Sequence, residues 1–210
     1  MGKLITFEGG EGAGKTTAVR NIFEWLQGEL TRRSLSHKVR VTREPGDSDL
    51  GRSLRGVVLG NEMSAIAEVL LYAADRSEHV ETKLKPWLRD GDFVLCDRFV
   101  DSAIAYQGFG RGIDLAIVER LNNIATGGIK PDLTFWLDVD VEIGLQRTRQ
   151  RGKSDRFEQS SLEFHNRVRD GFRTLAMRSD RFVRIDARLD EESITHQIKG
   201  VLVGKICEWF

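Results

Sequence analysis

Residues 9–16 read Gly-Gly-Glu-Gly-Ala-Gly-Lys-Thr and satisfy G-x-x-x-x-G-K-S/T at every fixed position. Such a stretch serves as the turn between a buried strand and a helix. Its backbone N–H groups converge on phosphate oxygens, and the helix N-terminus adds unsatisfied donors. Both flanks are present. Leu4-Ile-Thr-Phe7 is a short apolar run that predicts a buried strand, and Val19, Ile22, Phe23, Leu26 and Leu30 recur at helical spacing after the loop. The implied ligand is a nucleoside triphosphate with a divalent metal. Its phosphates would lie on Gly9, Gly10, Glu11, Gly12, Ala13, Gly14, Lys15, Thr16 and Thr17. Lys15 would reach the β- and γ-phosphates, and the Thr16 hydroxyl would ligate Mg²⁺.

Strand-like and helix-like segments alternate along the rest of the chain. Short strands are expected at 39–42, 93–96, 133–137 and 182–185. Helices are expected at about 50–59, 65–88 (with Pro86 near the end), 101–106, 114–125, 142–151, 162–178 and from Glu191 onward. Five strands joined by helical crossovers predict an α/β fold of the P-loop NTPase type. Its sheet would be mainly parallel and five-stranded, with helices on both faces. At 210 residues, with no repeat, linker or low-complexity stretch, the chain reads as one domain over 1–210.

Composition narrows the partners. Lys plus Arg and Asp plus Glu are both 32, so no bulk charge points to nucleic acid or a membrane surface. No apolar stretch approaches spanning length, and no signal peptide precedes the first strand. Cys96 and Cys207 form no disulfide or metal framework. A cytoplasmic setting is the expectation.

In open parallel sheets, ligands bind beyond the carboxyl ends of the strands. The second strand is followed by Thr42-Arg43-Glu44-Pro45-Gly46 and the third by Asp97-Arg98-Phe99. Arg43 and Arg98 can hold a second phosphate facing the one on the loop, because a guanidinium binds phosphate oxygens with a rigid fork. Asp97 suits Mg²⁺ or its waters. A basic stretch at 147–156 reads either as a cationic helix C-terminus or as a lid that brings arginines onto the transferring group.

Together these motifs resemble the bacterial-type thymidylate (dTMP) kinases. The resemblance rests on Phe7 to Thr17, Thr42-Arg-Glu-Pro-Gly46, Leu71-Tyr-Ala-Ala-Asp-Arg76, Asp97-Arg-Phe99, Ala105-Tyr-Gln-Gly108, Pro131-Asp-Leu133 and Asp155-Arg-Phe-Glu158. It implies phosphoryl transfer from ATP to dTMP, giving dTDP and ADP on the way to dTTP, with Mg²⁺. It also implies a two-fold homodimer through helices near 50–80 and a lid at about 147–158. By the same resemblance Glu11 holds the sugar 3′-hydroxyl, and Arg43 and Arg98 bind the monophosphate. Tyr72 stands where the family usually stacks a Phe on thymine. Arg76 and Gln107 read the base, Tyr106 sits against the sugar, and Arg151 is the lid arginine that accompanies a glycine at position 12. Catalysis is thus expected of Lys15, Arg98 and Arg151. Ala103 stands where Ser or Thr is common, and Asp47 replaces a usual glycine.

Two alternatives stay open. One is another nucleoside monophosphate kinase. The other is a nucleotide-dependent switch, although its nearest guanine-reading candidate, Thr82-Lys83-Leu84-Lys85, lacks the required Asp.

Overall fold

The structure, a computed structural model, describes residues 2–150, 152 and 156–209. Strand β1 (Lys3–Glu8) leads into α1 (Lys15–Arg32), followed by β2 (Val39–Arg43), α2 (Asp49–Gly60) and α3 (Ala65–His79). A π-helical segment, Val80–Leu84, joins α3 to α4 (Lys85–Arg89). After β3 (Phe93–Asp97) and the short α5 (Val100–Ala103), a second π-helical segment covers Ile104–Gly110. The chain continues through α6 (Leu115–Thr126), β4 (Leu133–Asp138), α7 (Val141–Arg149), α8 (Leu162–Arg178), β5 (Phe182–Asp186) and α9 (Glu191–Trp209).

The sheet has the order β2-β3-β1-β4-β5, and every ladder is parallel. Strand β1 is therefore central, with β3 and β4 on either side. Successive strand residues face opposite sides, and the sequence uses both sides. Ile5, Phe7, Phe93, Leu95, Leu133, Phe135 and Leu137 pack with α1 and α9 in one core. Leu4, Val94 and Cys96 pack against the π segment at 80–84 and α4, and Trp136 joins α8. Fully buried strands of this kind require helices on both faces, and that is the layering observed.

Most strand and helix expectations agree with the structure to within a residue or two. The 65–88 helix differs. It keeps its course but changes register, with α3 ending at His79 and a π segment preceding Pro86. Pro86 has no N–H to donate to the preceding turn, and a local widening accommodates that loss. The helix expected at 101–106 is likewise a short α-turn that widens and runs on to Gly110. The expected helix end at Arg151 lies outside the described residues, and α7 is described to Arg149.

Candidate active site

The first turn of α1 is left open. Ser48, Ser64, Asp114 and Ser161 each cap α2, α3, α6 and α8 with a side-chain oxygen. α1 instead begins after Gly14, in a left-handed conformation with no side-chain cap and no acidic residue in its first turn. Its amides keep their capacity for an anion. Gly12 is also left-handed (φ 67°), so a side chain there would be strained.

Lys15 folds back on the loop, donating to the Gly9 carbonyl at 3.0 Å and the Gly10 carbonyl at 2.7 Å. Burial and the neighbouring Arg98 bring its ammonium down to about 8. The Thr16 hydroxyl donates to Asp97 Oδ2 at 2.7 Å, which joins the loop to the end of β3. An alcohol and a carboxylate in contact are hard oxygen donors of the kind Mg²⁺ accepts beside phosphate and water.

Arg98 is the pivot. Its backbone is left-handed (φ 69°), and its N–H donates to the Phe7 carbonyl at 3.0 Å. The guanidinium reaches the Gly9 carbonyl at 3.2 Å, Ser102 Oγ at 3.3 Å and Glu11 Oε1 at 2.7 Å. It also lies over the Tyr106 ring, 4.9 Å from the centroid. The Tyr106 hydroxyl donates to the same Glu11 oxygen at 2.7 Å. Burial pushes the Glu11 carboxyl up, but Arg98, Lys15 and the Tyr106 hydrogen bond outweigh it and hold the group at about 2. Glu11 is therefore an anion inside a phosphate loop, held there by its own cations. Beneath it, Glu8 Oε1 accepts the Phe99 N–H at 2.7 Å, and Ser102 donates to Oε2 at 2.6 Å. Burial first, then the charge of Asp101, raises the Glu8 carboxyl well above the usual range.

Two cavities meet at this pivot. One, of about 230 Å³, is lined by Gly12 to Thr17, Arg43 and Asp97, with Glu11, Glu44, Arg55 and Arg98 on its inner wall. The other, of about 120 Å³, shares those four residues and adds Tyr72, Arg76, Ala103, Tyr106, Gln107 and Phe157. Arg43 is exposed and makes no hydrogen bond or ion pair among the described residues. Arg76 is buried, with Nε on Glu44 at 2.8 Å, Nη1 on Asn122 at 2.7 Å and Nη2 on the Phe99 carbonyl at 3.2 Å. Tyr72 packs against Phe157, with centroids 6.3 Å apart. Asp47 accepts from Thr42 at 2.8 Å and Lys83 at 2.5 Å, so it braces the turn after β2.

The structure thus gathers Glu11, Tyr72, Arg76, Arg98, Tyr106 and Gln107 around one cavity, and residues 11–17 with Arg43 and Asp97 around its neighbour. Gly9 and Gly10 contribute the carbonyls that seat Lys15. Arg151 lies outside the described residues. In the rest of the basic stretch, Arg147 donates to the Ala187 carbonyl at 2.9 Å and Arg156 to Glu68 at 2.7 Å. Sequence reasoning missed Glu44, Arg55 and Glu68. Glu44 stands inside the Thr-Arg-Glu-Pro-Gly motif, and Glu68 lies four residues before Tyr72 and eight before Arg76, on their helix face. Arg55 carries no comparable signal.

The thymidylate kinase family model matches residues 7–198. A thymidylate kinase of Trichodesmium erythraeum is 48% identical over 221 aligned residues, covering 100% of this chain and 98% of that one. Its counterpart in Gloeobacter violaceus is 50% identical over 204, covering 95% and 93%. The crystal structure of thymidylate kinase from Ehrlichia chaffeensis matches with a TM-score of 0.77 at 33% identity, over 96% of this chain and 99% of that one.

Proposed function

The chain belongs to the thymidylate kinase family and transfers a phosphoryl group from ATP to dTMP, and we propose that the residues around the two cavities divide that work as follows. ATP lies with its phosphates on residues 9–17, seated by the loop amides, the open first turn of α1 and Lys15. The dTMP phosphate is held by Arg43 and Arg98 between the cavities. Its base enters the cavity of Tyr72, Arg76 and Gln107, its sugar 3′-hydroxyl meets Glu11, and Tyr106 packs beside the sugar. The observation that carries this reading is the shared wall: Glu11, Glu44, Arg55 and Arg98 line both cavities, so two phosphate ligands would face each other across it.

An ionised oxygen of the dTMP phosphate attacks the γ-phosphorus in line as the bond from that phosphorus to the β–γ bridging oxygen breaks, so that dTDP forms and ADP leaves. That oxygen is already deprotonated at neutral pH, so no strong general base is required. What the chain supplies is positioning and positive charge, from Lys15, Arg98 and the lid arginine Arg151. Thr16 and Asp97 would hold Mg²⁺, which when bound neutralises charge on the β- and γ-phosphate oxygens.

Residues 1–210 act as one unit with a lid at about 147–158. The protein works as a homodimer on small nucleotides, without nucleic acid or membrane, in the cytoplasm. Among the described residues, no helix is long and apolar enough to cross a membrane. The direct test is ADP release with ATP, Mg²⁺ and each common nucleoside monophosphate in turn. Activity with dTMP far above dCMP, dGMP and AMP is expected. Activity spread across acceptors would sink the roles given to Tyr72, Arg76 and Gln107.

A further inference from the structure

Glu68, on the first turns of α3, is 1% exposed and is not among the residues that line either cavity. Its carboxylate nevertheless gathers three side chains from two distant segments. Gln107 Nε2 donates to Oε1 at 2.9 Å. Arg111 donates to both oxygens, at 3.3 and 3.2 Å, and Arg156 donates to Oε2 at 2.7 Å. The two guanidiniums lie over the Phe157 ring, at 5.4 and 4.7 Å, and Phe157 is a wall of the base cavity. One buried carboxylate therefore holds Gln107 directly and Phe157 through two arginines.

The pairing also has a direction. An ionised carboxylate only accepts, so Gln107 must turn its NH₂ toward Glu68. Flipping the amide would set its oxygen against a carboxylate with no proton between them. Gln107 lines the cavity, and its Oε1 accepts no hydrogen bond among the described residues. Glu68 thus leaves a fixed acceptor for a ligand's edge, while Arg76 on the same cavity can only donate. A donor and an acceptor in fixed places complement a base that presents a ring N–H beside a carbonyl. They oppose one that presents an unprotonated ring nitrogen beside an amino group.

We propose that Glu68 is a specificity-determining positioning residue: by fixing the Gln107 amide, it makes the site accept imide-type pyrimidines and refuse amino-type ones. This rests on the acceptor-site reading given above. The probe pair is dTMP and 5-methyl-dCMP, which differ only on that edge of the base. In Glu68→Gln the residue can offer either an oxygen or an NH₂, so the lock on Gln107 is lost. We expect the ratio of kcat/KM for dTMP over 5-methyl-dCMP to fall at least tenfold, chiefly through KM for dTMP, with KM for ATP unchanged. Arg111→Met keeps the Glu68–Gln107 pair and leaves Arg156 between Glu68 and the Phe157 ring, so it should lower thermal stability while leaving that ratio intact, because the ratio reads only the edge of the base that Gln107 faces. A folded Glu68→Gln protein whose ratio stays within twofold of the unaltered protein would overturn the proposal.

Removing one partner of a buried ion pair is strongly destabilising, so a second readout uses the unaltered protein. The Gln107 side-chain amide proton should be shifted downfield and slow to exchange by NMR, with and without dTMP. An unshifted, fast-exchanging amide would equally overturn the proposal. Failure of the unaltered protein to phosphorylate dTMP would instead sink the underlying reading of the site.

Discussion

Gly12 and Gly144 meet backbone to backbone. A Cβ on Gly12 would lie 2.0 Å from the Gly144 carbonyl oxygen, and one on Gly144 would lie 2.3 Å from the Glu11 carbonyl oxygen. The phosphate loop is thereby seated directly on α7, the helix that leads into the proposed lid. Substituting Gly144 with Ala must displace either α7 or the loop, because the obstacles are backbone atoms. A misplacement of about 1 Å can cost ~100-fold in rate. Gly144→Ala is expected to lower kcat/KM for ATP at least tenfold, as read by steady-state kinetics. Unchanged kinetics would show that the seat yields freely.

Arg43 and Arg98 share a proposed phosphate but differ in what else they hold. Arg43 has no partner among the described residues, whereas Arg98 bridges Gly9, Ser102 and Glu11. Arg43→Met should raise KM for dTMP at least tenfold and leave the melting temperature unaltered. Arg98→Met should lower kcat by ~100-fold, the order seen when a donor at a developing charge is removed, and should also lower the melting temperature. Equal effects on melting would contradict this division.

Arg151 is proposed to supply charge to the transferring group. A contact made chiefly in the transition state affects kcat more than substrate KM. Arg151→Ala is therefore expected to reduce kcat far more than it raises KM for dTMP. An unchanged kcat would remove the lid role.

Much of this site was legible because its parts are local. The phosphate loop and the residues after β2 and β3 are short motifs at the ends of apolar runs, and the parallel sheet brings those ends together. What escaped was non-local or irregular. Glu68 acquires its meaning only when Gln107, Arg111 and Arg156 arrive from elsewhere in the chain. The π segments at 80–84 and 104–110 leave the helical period on which pattern reading depends. The second of them carries Tyr106 and Gln107 into the cavity. Their family match was readable, whereas the backbone that presents them was not.

The dimer proposed through α2 and α3 would cover apolar side chains that this chain leaves exposed. Leu50 and Val57 on α2 are 49% and 45% exposed, and Ile66 and Leu70 on α3 are 50% and 49% exposed. The spacings of seven and four put each pair on one helix face, and the two helices pack side by side. Apolar side chains grouped in this way mark association surfaces. Light scattering at micromolar concentration should return twice the chain mass, and Leu70→Arg should return the chain mass. A monomeric unaltered protein would count against the dimer.

Asp75 gives a test of stability against pH. It is 1% exposed, its Oδ1 accepts the Gly46 N–H at 3.0 Å, and its Oδ2 has no hydrogen-bond partner among the described residues. Burial first, then the charge of Glu44, raises its carboxyl from 3.8 to about 6. The folded chain therefore binds this proton more tightly than the unfolded chain. The stability it contributes is complete below about 3.8 and is lost as the pH rises through about 6. Asparagine keeps the acceptor for Gly46 and carries no charge at any pH. Asp75→Asn should therefore match the unaltered protein near pH 4 and exceed it at pH 8, by on the order of 1–3 kcal/mol. Urea midpoints at pH 4, 6 and 8 measure this directly. A variant no more stable at pH 8 would mean that the charged carboxylate is satisfied in the fold, and that Oδ2 is not the liability its isolation implies.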